Sequence, residues 1–419
     1  MLKIKKSDQL SGEVSISGSK NAVLPIMAAA LLIKGKTILR NVPEIGDVFT
    51  YLDILWELWV EHSFTNNVLT LDSSHLKHTD FDLEKIRKIR VSILLLAPIL
   101  QRLGKISIPT PGWCNLWARS IQAHLDGLSD IWYDVEMQEE QISLSGSTQS
   151  WDKVINGGFW VTPTENLIVA NVLRNWETKI MLAAIEPHVM NLITFLRTAW
   201  ADISIRYDNT IIIQGVEELK TNIECDIVSD YIQSGTYMIL WALAAKHSIV
   251  IHNARVDDLY IFIEKLKQTG VKIDILEDDS VRVYRATTLK ASHIQTNIFP
   301  GFPTDLQSPF AMLMTQAQGT SEIHEVLFEG RLGWTIELEK MWVDVSILNR
   351  HECEIVWGNS LVGTTVASWD LRAGAAMVIA WLIAEGETTI TNVEYIHRGY
   401  DNLVSNLKAL GADIEEIED

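Results

Sequence analysis

Seven side chains placed beside turns or helix starts could carry chemistry in this sequence: the cations Lys20, Arg90, Arg119, Arg372 and Arg398, and the proton carriers Cys114 and Asp305. Ser17-Gly18-Ser19-Lys20-Asn21 runs into an Ala-rich apolar stretch. At a helix start, unbonded backbone N–H groups and the positive end of the helix dipole add to a lysine charge and suit an anion; a solvated turn fits the same residues. Cys114 lies in Pro109-Thr-Pro-Gly-Trp-Cys-Asn-Leu-Trp-Ala-Arg119, a loop bounded by Pro and Gly with the arginine five residues on. A nearby cation lowers the pKa of an exposed thiol, so Cys114 is a candidate acid or nucleophile, although an inert loop cysteine fits the spacing equally. Cys225 and Cys353 lack such surroundings and read as structural.

Pro300-Gly-Phe-Pro-Thr-Asp305 holds one carboxylate in a turn stiffened by proline. Asp305 is therefore a candidate general base or hydroxyl acceptor, with a turn-capping aspartate as the alternative. Asp370-Leu-Arg372 and His397-Arg398-Gly399 set two more arginines next to turns, and each taken singly fits a surface ion pair. Taken together, the scattered cations suit a small anionic substrate, because arginine grips phosphate and carboxylate through paired hydrogen bonds. The residues by themselves support an enzyme acting on small phosphorylated anions.

Composition narrows the class. The chain has 419 residues, 47% of them hydrophobic, which is enough for two or three cored domains. Its net charge of −19 argues against extended contact with nucleic acid or an anionic membrane. Three cysteines without metal-ligand spacing predict a reducing, cytoplasmic setting. No cofactor, metal or obligate protein partner is expected, since no dinucleotide fingerprint or Cys/His cluster occurs. The apolar runs Ala22 to Ile33 and Ile93 to Leu100 are too short to span a bilayer and predict buried helices of a soluble protein.

The elements that must position these residues recur. A helix end, a breaker and a short strand repeat with breakers at Trp59, Trp132, Trp200, Gly270, Trp342 and Gly411, separated by 73, 68, 70, 72 and 69 residues. A second helix-to-strand phrase runs in parallel, beginning at Gly35, Gly104, Trp176, Lys246, Gly319 and Gly386. Two such transitions per unit predict an α/β architecture of six modules, three to a domain, with a ligand site in the cleft between the domains. The breaker after a helix commonly needs φ > 0, which Gly accepts and a bulky side chain does not. With 15 Trp against 23 Gly in the chain, many Trp are expected to stand where the natural protein has Gly, as when a codon that the source cell reads as glycine is translated as tryptophan.

Taken in order, Ser-Gly-Ser-Lys20-Asn21, Ile-Arg90-Val-Ser, Pro-Gly-Trp-Cys114-Asn-Leu-Trp-Ala-Arg119, Pro-Gly-Phe-Pro-Thr-Asp305, Asp370-Leu-Arg372-Ala-Gly and His-Arg398-Gly-Tyr resemble the UDP-N-acetylglucosamine 1-carboxyvinyltransferase family of enolpyruvyl transferases. The likeness covers nearly the whole chain. It implies transfer of enolpyruvyl from phosphoenolpyruvate to the 3′-hydroxyl of UDP-N-acetylglucosamine with release of phosphate, the opening step of peptidoglycan synthesis. It also implies a two-domain inside-out α/β barrel of six βαβαββ-type repeats. Residues 21–227 form the first domain, which carries Cys114, and 1–20 with 228–419 form the second.

By this resemblance Cys114 is the acid that protonates the phosphoenolpyruvate methylene and can form an adduct with it. Asp305 is the base for the sugar hydroxyl. Lys20, Arg119, Arg372 and Arg398 hold phosphate and carboxylate, with Lys20 and Arg398 counted among the catalytic groups. Asn21, Arg90, the run Arg119, Ser120, Ile121, Gln122 and Ala123, then Asp305 and Leu327, match the UDP-sugar contacts. The chain departs from the pattern at Trp113 and Trp117, where the family has glycine, and at Ser120-Ile-Gln-Ala in place of Pro-Val-Asp-Leu. The competing readings are the shikimate-pathway enolpyruvyl transferase, which lacks such a Cys loop, and a non-catalytic nucleotide-sugar binder on the same scaffold. An RNA-cyclase relative with similar modules is disfavoured by the negative charge.

Overall fold

The computed structural model describes residues 1–77, 85–86, 89–109, 121–131, 133–138, 141–146, 152–358, 360–368 and 371–417. The chain divides into two compact units, one continuous, Gly18–Val228, and one built from Met1–Ser17 together with Ser229–Asp419. Each has its own core of buried side chains, and both mix helices with sheets. No described helix is long and apolar enough to cross a membrane.

In the continuous unit, Lys20–Ala29 and Val161–Asn171 are buried along almost their whole length, the first through an apolar run and the second with Thr164, Glu165, Asn166 and Asn171 buried among its apolar residues. The strands alternate instead. Lys36–Arg40 buries Thr37 and Leu39 and turns Lys36 and Arg40 to solvent, so one face of its sheet is wet. That strand pairs antiparallel with Val68–Asp72 and parallel with Ile223–Asp226. Glu177–Met181 likewise pairs antiparallel with Ile211–Gln214 and parallel with Lys153–Asn156. Gln141–Gly146 lies between Lys105–Pro109 and Tyr133–Met137, antiparallel to both.

In the discontinuous unit, Tyr231–Ala244 and Gln307–Met314 are buried throughout. Asp230 caps the first of these by accepting from the N–H groups of Ile232 and Gln233. Leu2–Lys5 pairs antiparallel with both Glu387–Thr391 and Ile414–Glu416, which joins the first strand of the chain to the last two. Ser248–His252 lies between Val281–Tyr284, antiparallel, and Glu13–Ser15, parallel. Thr320–His324 does the same between Glu352–Val356 and His293–Gln295.

Five helix exits share one closure. Trp59 N–H donates to the Trp56 carbonyl at 3.0 Å and Val60 N–H to the Leu55 carbonyl at 3.1 Å, the two bonds of a Schellman turn. The same pair of bonds forms at Trp200, Gly270, Trp342 and Gly411. The central residue is left-handed in every case, with φ of 63°, 71° and 69° at the three Trp and 101° and 102° at the two Gly. The next residue, Val60, Ala201, Val271, Val343 or Ala412, is buried, while the indoles of Trp59, Trp200 and Trp342 are 56%, 69% and 67% exposed. Lys77 approaches the Trp59 ring at 4.4 Å and Lys220 the Trp200 ring at 5.8 Å. Such exposed contacts contribute about 0.5–1 kcal/mol, less than the roughly 1–2 kcal/mol that a side chain costs in this backbone region. Trp132, the remaining breaker, lies outside the described residues.

Candidate active site

Asp305 sits in the 3-10 turn Thr304–Leu306, entered through Pro303 and continued directly by the buried helix Gln307–Met314. Proline before the turn and an apolar helix after it leave the carboxylate at the boundary of the core, with its side chain 26% exposed. Arg331 Nη2 donates to Asp305 Oδ1 at 2.6 Å, and Arg372 Nε donates to Oδ2 at 3.2 Å. Both arginine side chains are 5% exposed. One carboxylate thus holds two nearly dry guanidinium groups, each of which has donors beyond the one it gives to Asp305.

Arg372 belongs to the helix Leu371–Ile383, and its guanidinium lies 5.4 Å from the Tyr400 ring centroid. Burial opposes the Arg372 charge, but Tyr400, Asp305 and Asp230 outweigh it and raise the pKa above the ordinary arginine value. Asp230, buried at its helix start, has its own pKa raised by burial against the pull of Arg372 and of the N–H groups it caps. The Tyr400 hydroxyl is 3.1 Å from Thr236 Oγ1. Arg398 follows the short helix Glu394–His397, two residues before Tyr400. Leu327 N–H donates to Oε1 of the buried Glu325 at 2.9 Å.

In the continuous unit, Lys20 opens its helix and pairs with Asp47 at 2.6 Å, the two side chains being 16% and 4% exposed. Ser19 N–H donates to the Val228 carbonyl at 2.8 Å, so this N–H of the Gly/Ser turn is already engaged. Gly18 presses on the opposite strand end, where an added Cβ would stand 1.8 Å from the Asn41 carbonyl oxygen. Its glycine is required by close packing rather than by an anion. Asn21 is the second residue of the same helix. Arg90 begins the 3-10 stretch Arg90–Leu95, and Gln122 and Ala123 open the helix Gln122–Asp130 with Ile121 at its N-cap. Gln122 Nε2 donates to Asp126 Oδ1 at 2.6 Å.

Cys114, Arg119 and Ser120 lie outside the described residues, as do Trp113, Trp117 and Asp370. Burial, with Asp226 and Glu322 adding to it, pushes the Cys225 thiol up to about 11 and that of Cys353 to about 12. Both shifts disfavour the thiolate, which is the nucleophilic form. Among the described residues no three His, Cys, Asp or Glu side chains are grouped to hold a metal.

Of the residues expected from sequence, the structure brings Asp305 and Arg372 into contact, and it adds Arg331, Asp230, Tyr400, Thr304 and Glu325. Asp230 carried a readable mark, an acidic residue just before a long apolar helix. Arg331 follows Gly330, the same arginine-beside-a-turn pattern used for the others. Tyr400 and Glu325 had no local mark, because their burial comes from segments distant in sequence. Lys20, Asn21, Arg90, Ile121, Gln122 and Ala123 belong to the other unit.

The family described as EPSP synthase (3-phosphoshikimate 1-carboxyvinyltransferase) matches residues 4–415. This chain belongs to that family. Within it, the chain is 36% identical over 425 residues to a UDP-N-acetylglucosamine 1-carboxyvinyltransferase from Finegoldia magna, covering 100% of this chain and 99% of that protein. It is also 36% identical to UDP-N-acetylglucosamine 1-carboxyvinyltransferase 1 from Clostridium acetobutylicum, over 99% of each chain. Among solved structures, the enolpyruvyl transferase NikO from Streptomyces tendae superposes with a TM-score of 0.89 at 23% identity, covering 99% of this chain and 98% of that one. EPSP synthase from Acinetobacter baumannii gives 0.74 at 18% identity over 99% of both chains. These two share the family fold.

Proposed function

We propose that this enolpyruvyl transferase moves the enolpyruvyl group of phosphoenolpyruvate onto the 3′-hydroxyl of UDP-N-acetylglucosamine and releases phosphate, in the cytoplasm, as the first committed step of peptidoglycan synthesis. The observation that carries the reading is the end-to-end match to enzymes named for that transfer. Two buried arginines on Asp305 support it, since they suit an anionic substrate beside a carboxylate that can take a proton.

In this reading Cys114 gives a proton to the methylene carbon of phosphoenolpyruvate, and the neighbouring carbon becomes electrophilic. The sugar hydroxyl adds there while Asp305 takes its proton. Loss of a methyl proton and of phosphate then restores the double bond. Lys20, Arg119, Arg372 and Arg398 neutralise phosphate and carboxylate. Asn21, Arg90, Ser120, Ile121, Gln122, Ala123 and Leu327 contact the nucleotide sugar. The fold belonging to this reading is an inside-out barrel of six repeats, with residues 21–227 as one domain and 1–20 with 228–419 as the other. Central helices buried along their length, sheets with one wet face and five like helix exits, four of them about 70 residues apart, support it.

The test is phosphate release with each substrate alone and with both, in this chain and in a form carrying glycine at Trp113 and Trp117. Release that needs both substrates in either form, and that Cys114→Ala nearly abolishes, is expected. Cys114→Asp, which keeps a proton donor, is expected to retain turnover and to resist thiol-alkylating epoxides. The family description also names 3-phosphoshikimate. Release with 3-phosphoshikimate in place of the nucleotide sugar would establish that acceptor instead. Tight binding of UDP-N-acetylglucosamine with no phosphate release would mark a non-catalytic binder.

A further inference from the structure

Glu325 is fully buried and among the described residues no cation bonds to its carboxylate, which accepts five hydrogen bonds from neutral donors. Oε1 takes the Thr296 hydroxyl at 3.0 Å and the N–H groups of Leu327 and Phe328 at 2.9 and 3.2 Å. Oε2 takes the Thr304 hydroxyl at 2.6 Å and the Gln307 amide at 2.9 Å. A carboxylate only accepts, and a hydroxyl has one proton to give. With that proton committed to Glu325, Thr304 Oγ1 can only accept on its other side, where Arg331 Nη1 donates to it at 2.6 Å. Arg331 is thereby pinned at one end of its fork, and the other end, Nη2, meets Asp305 Oδ1 at 2.6 Å.

We propose that Glu325 and Thr304 are positioning residues that, acting through Arg331, fix the orientation of Asp305. The chain of donors runs one way only: Arg331 to Thr304, Thr304 to Glu325. The same carboxylate holds the Leu327 and Phe328 backbone and the first residue of the helix that follows Asp305, so one buried anion ties together the segments carrying Asp305, Leu327 and Arg331. Glu325 is fully buried while Thr304 is half-buried, and the short bonds on both sides of the Thr304 hydroxyl set its direction.

This inference rests on Asp305 being the base, and the experiment separates the two. Steady-state rates are measured against pH for Thr304→Val, Thr304→Ser and Asp305→Asn, in the form of the chain that releases phosphate. Thr304→Val is expected to lower kcat by roughly ten- to a hundredfold with KM for both substrates within about twofold. It should also move the acidic limb of the kcat/KM profile to higher pH, since Asp305 loses a donor held on its anion. Thr304→Ser restores both. An unchanged rate and limb in Thr304→Val, or a loss that Thr304→Ser does not rescue, overturns the inference. Full turnover in Asp305→Asn overturns the base assignment instead. If Thr304→Val does not fold, Arg331→Lys, which cannot reach Thr304 and Asp305 together, is read by the same two criteria.

A different observation carries a second inference. We infer that Trp59, Trp200 and Trp342 stand at positions where the polypeptide made by the source cell has glycine. All three occupy the left-handed centre of a turn that two sister exits fill with Gly270 and Gly411. Four further tryptophans, Trp176, Trp241, Trp334 and Trp381, are buried with an indole N–H that finds no acceptor among the described residues, which buried indoles ordinarily do find. A codon reassigned to glycine accounts for both groups. Mass spectrometry of peptides spanning residues 59, 200 and 342 from the source cell should show glycine, from a codon other than TGG; tryptophan there, or TGG in the gene, overturns the inference. In the purified chain, Trp59→Gly, Trp200→Gly and Trp342→Gly should each raise Tm by about 2–4 °C, while Trp→Ala at the same sites, keeping a Cβ, does not. A fall in Tm for the glycine variants counts against it equally.

Discussion

Asn166 donates its side-chain amide to Nδ1 of His124 at 2.8 Å, which leaves the proton of the neutral imidazole on Nε2, 3.1 Å from Thr162 Oγ1. The ring is buried, and Asn166 also donates to the Ile93 carbonyl in the stretch that begins at Arg90. His124 therefore ties the helix that carries Gln122 and Ala123 to the segment that carries Arg90. It does so only while it is uncharged.

Burial, with the nearby Arg90 charge adding to it, lowers the His124 pKa from 6.5 to about 3. Between those values the unfolded chain binds a proton that the folded chain refuses. The contribution is fully present above pH 6.5 and is lost as pH falls toward 3, amounting to about 2 kcal/mol by pH 5. Urea unfolding at pH 7 and pH 5 measures it. In His124→Asn the difference between the two pH values should shrink, and an unchanged difference would show that another group is responsible.

Glu165 acts with the opposite sign. Burial first, and then the neighbouring Glu186, raise its pKa well above 4.5. The folded chain retains a proton that the unfolded chain releases, so this contribution is present below pH 4.5 and is lost as pH rises through the folded value. Glu165→Gln is expected to be more stable than the parent at pH 8, with the gap closing at pH 4. Thermal melts of both proteins across that range test it, and parallel curves would exclude Glu165 as the titrating group.

The Lys20–Asp47 pair separates structure from chemistry. Lys20→Met removes the ammonium that lies 2.6 Å from the nearly dry Asp47 carboxylate and should cost about 3 kcal/mol. The double change Lys20→Met with Asp47→Leu should recover most of that stability without recovering phosphate release. Recovery of both would mean that Lys20 serves only to neutralise Asp47.

Glycines at two positions should respond differently to alanine. Gly18→Ala drives a Cβ to 1.8 Å from the Asn41 carbonyl oxygen, a clash with backbone that should destabilise by more than about 2 kcal/mol. Gly104→Ala meets nothing within 4 Å and carries only the cost of φ 76°, about 1 kcal/mol. Denaturant midpoints of the two variants compare them directly.

Much of the fold could be read from repetition. Leu266-Lys-Gln-Thr-Gly270 and Leu407-Lys-Ala-Leu-Gly411 mark helix exits because a left-handed closure demands a particular residue type, and that demand is local. Asp305 was legible as a carboxylate in a proline-bounded turn, and Arg372 stands near the start of a buried helix. The network around them was not legible. Glu325 and Thr304 look ordinary in sequence, and their roles arise from three segments folded onto one carboxylate. His124 was passed over because a single polar residue on an apolar helix face shows its partners only once Asn166 and Thr162 are in place. The Lys20 turn was read for its chemistry, whereas much of its geometry answers to Asn41 and Val228.

Leu2–Lys5 is synthesised long before its partners Glu387–Thr391 and Ile414–Glu416. On the ribosome, Gly18–Val228 is complete long before that strand has anything to pair with. At roughly 5–20 residues per second, the strand waits about 20–80 s with both edges open to other nascent chains. A nonsense mutation near Glu385 would make that wait permanent, so damage late in the message would surface as aggregation through a strand translated long before it.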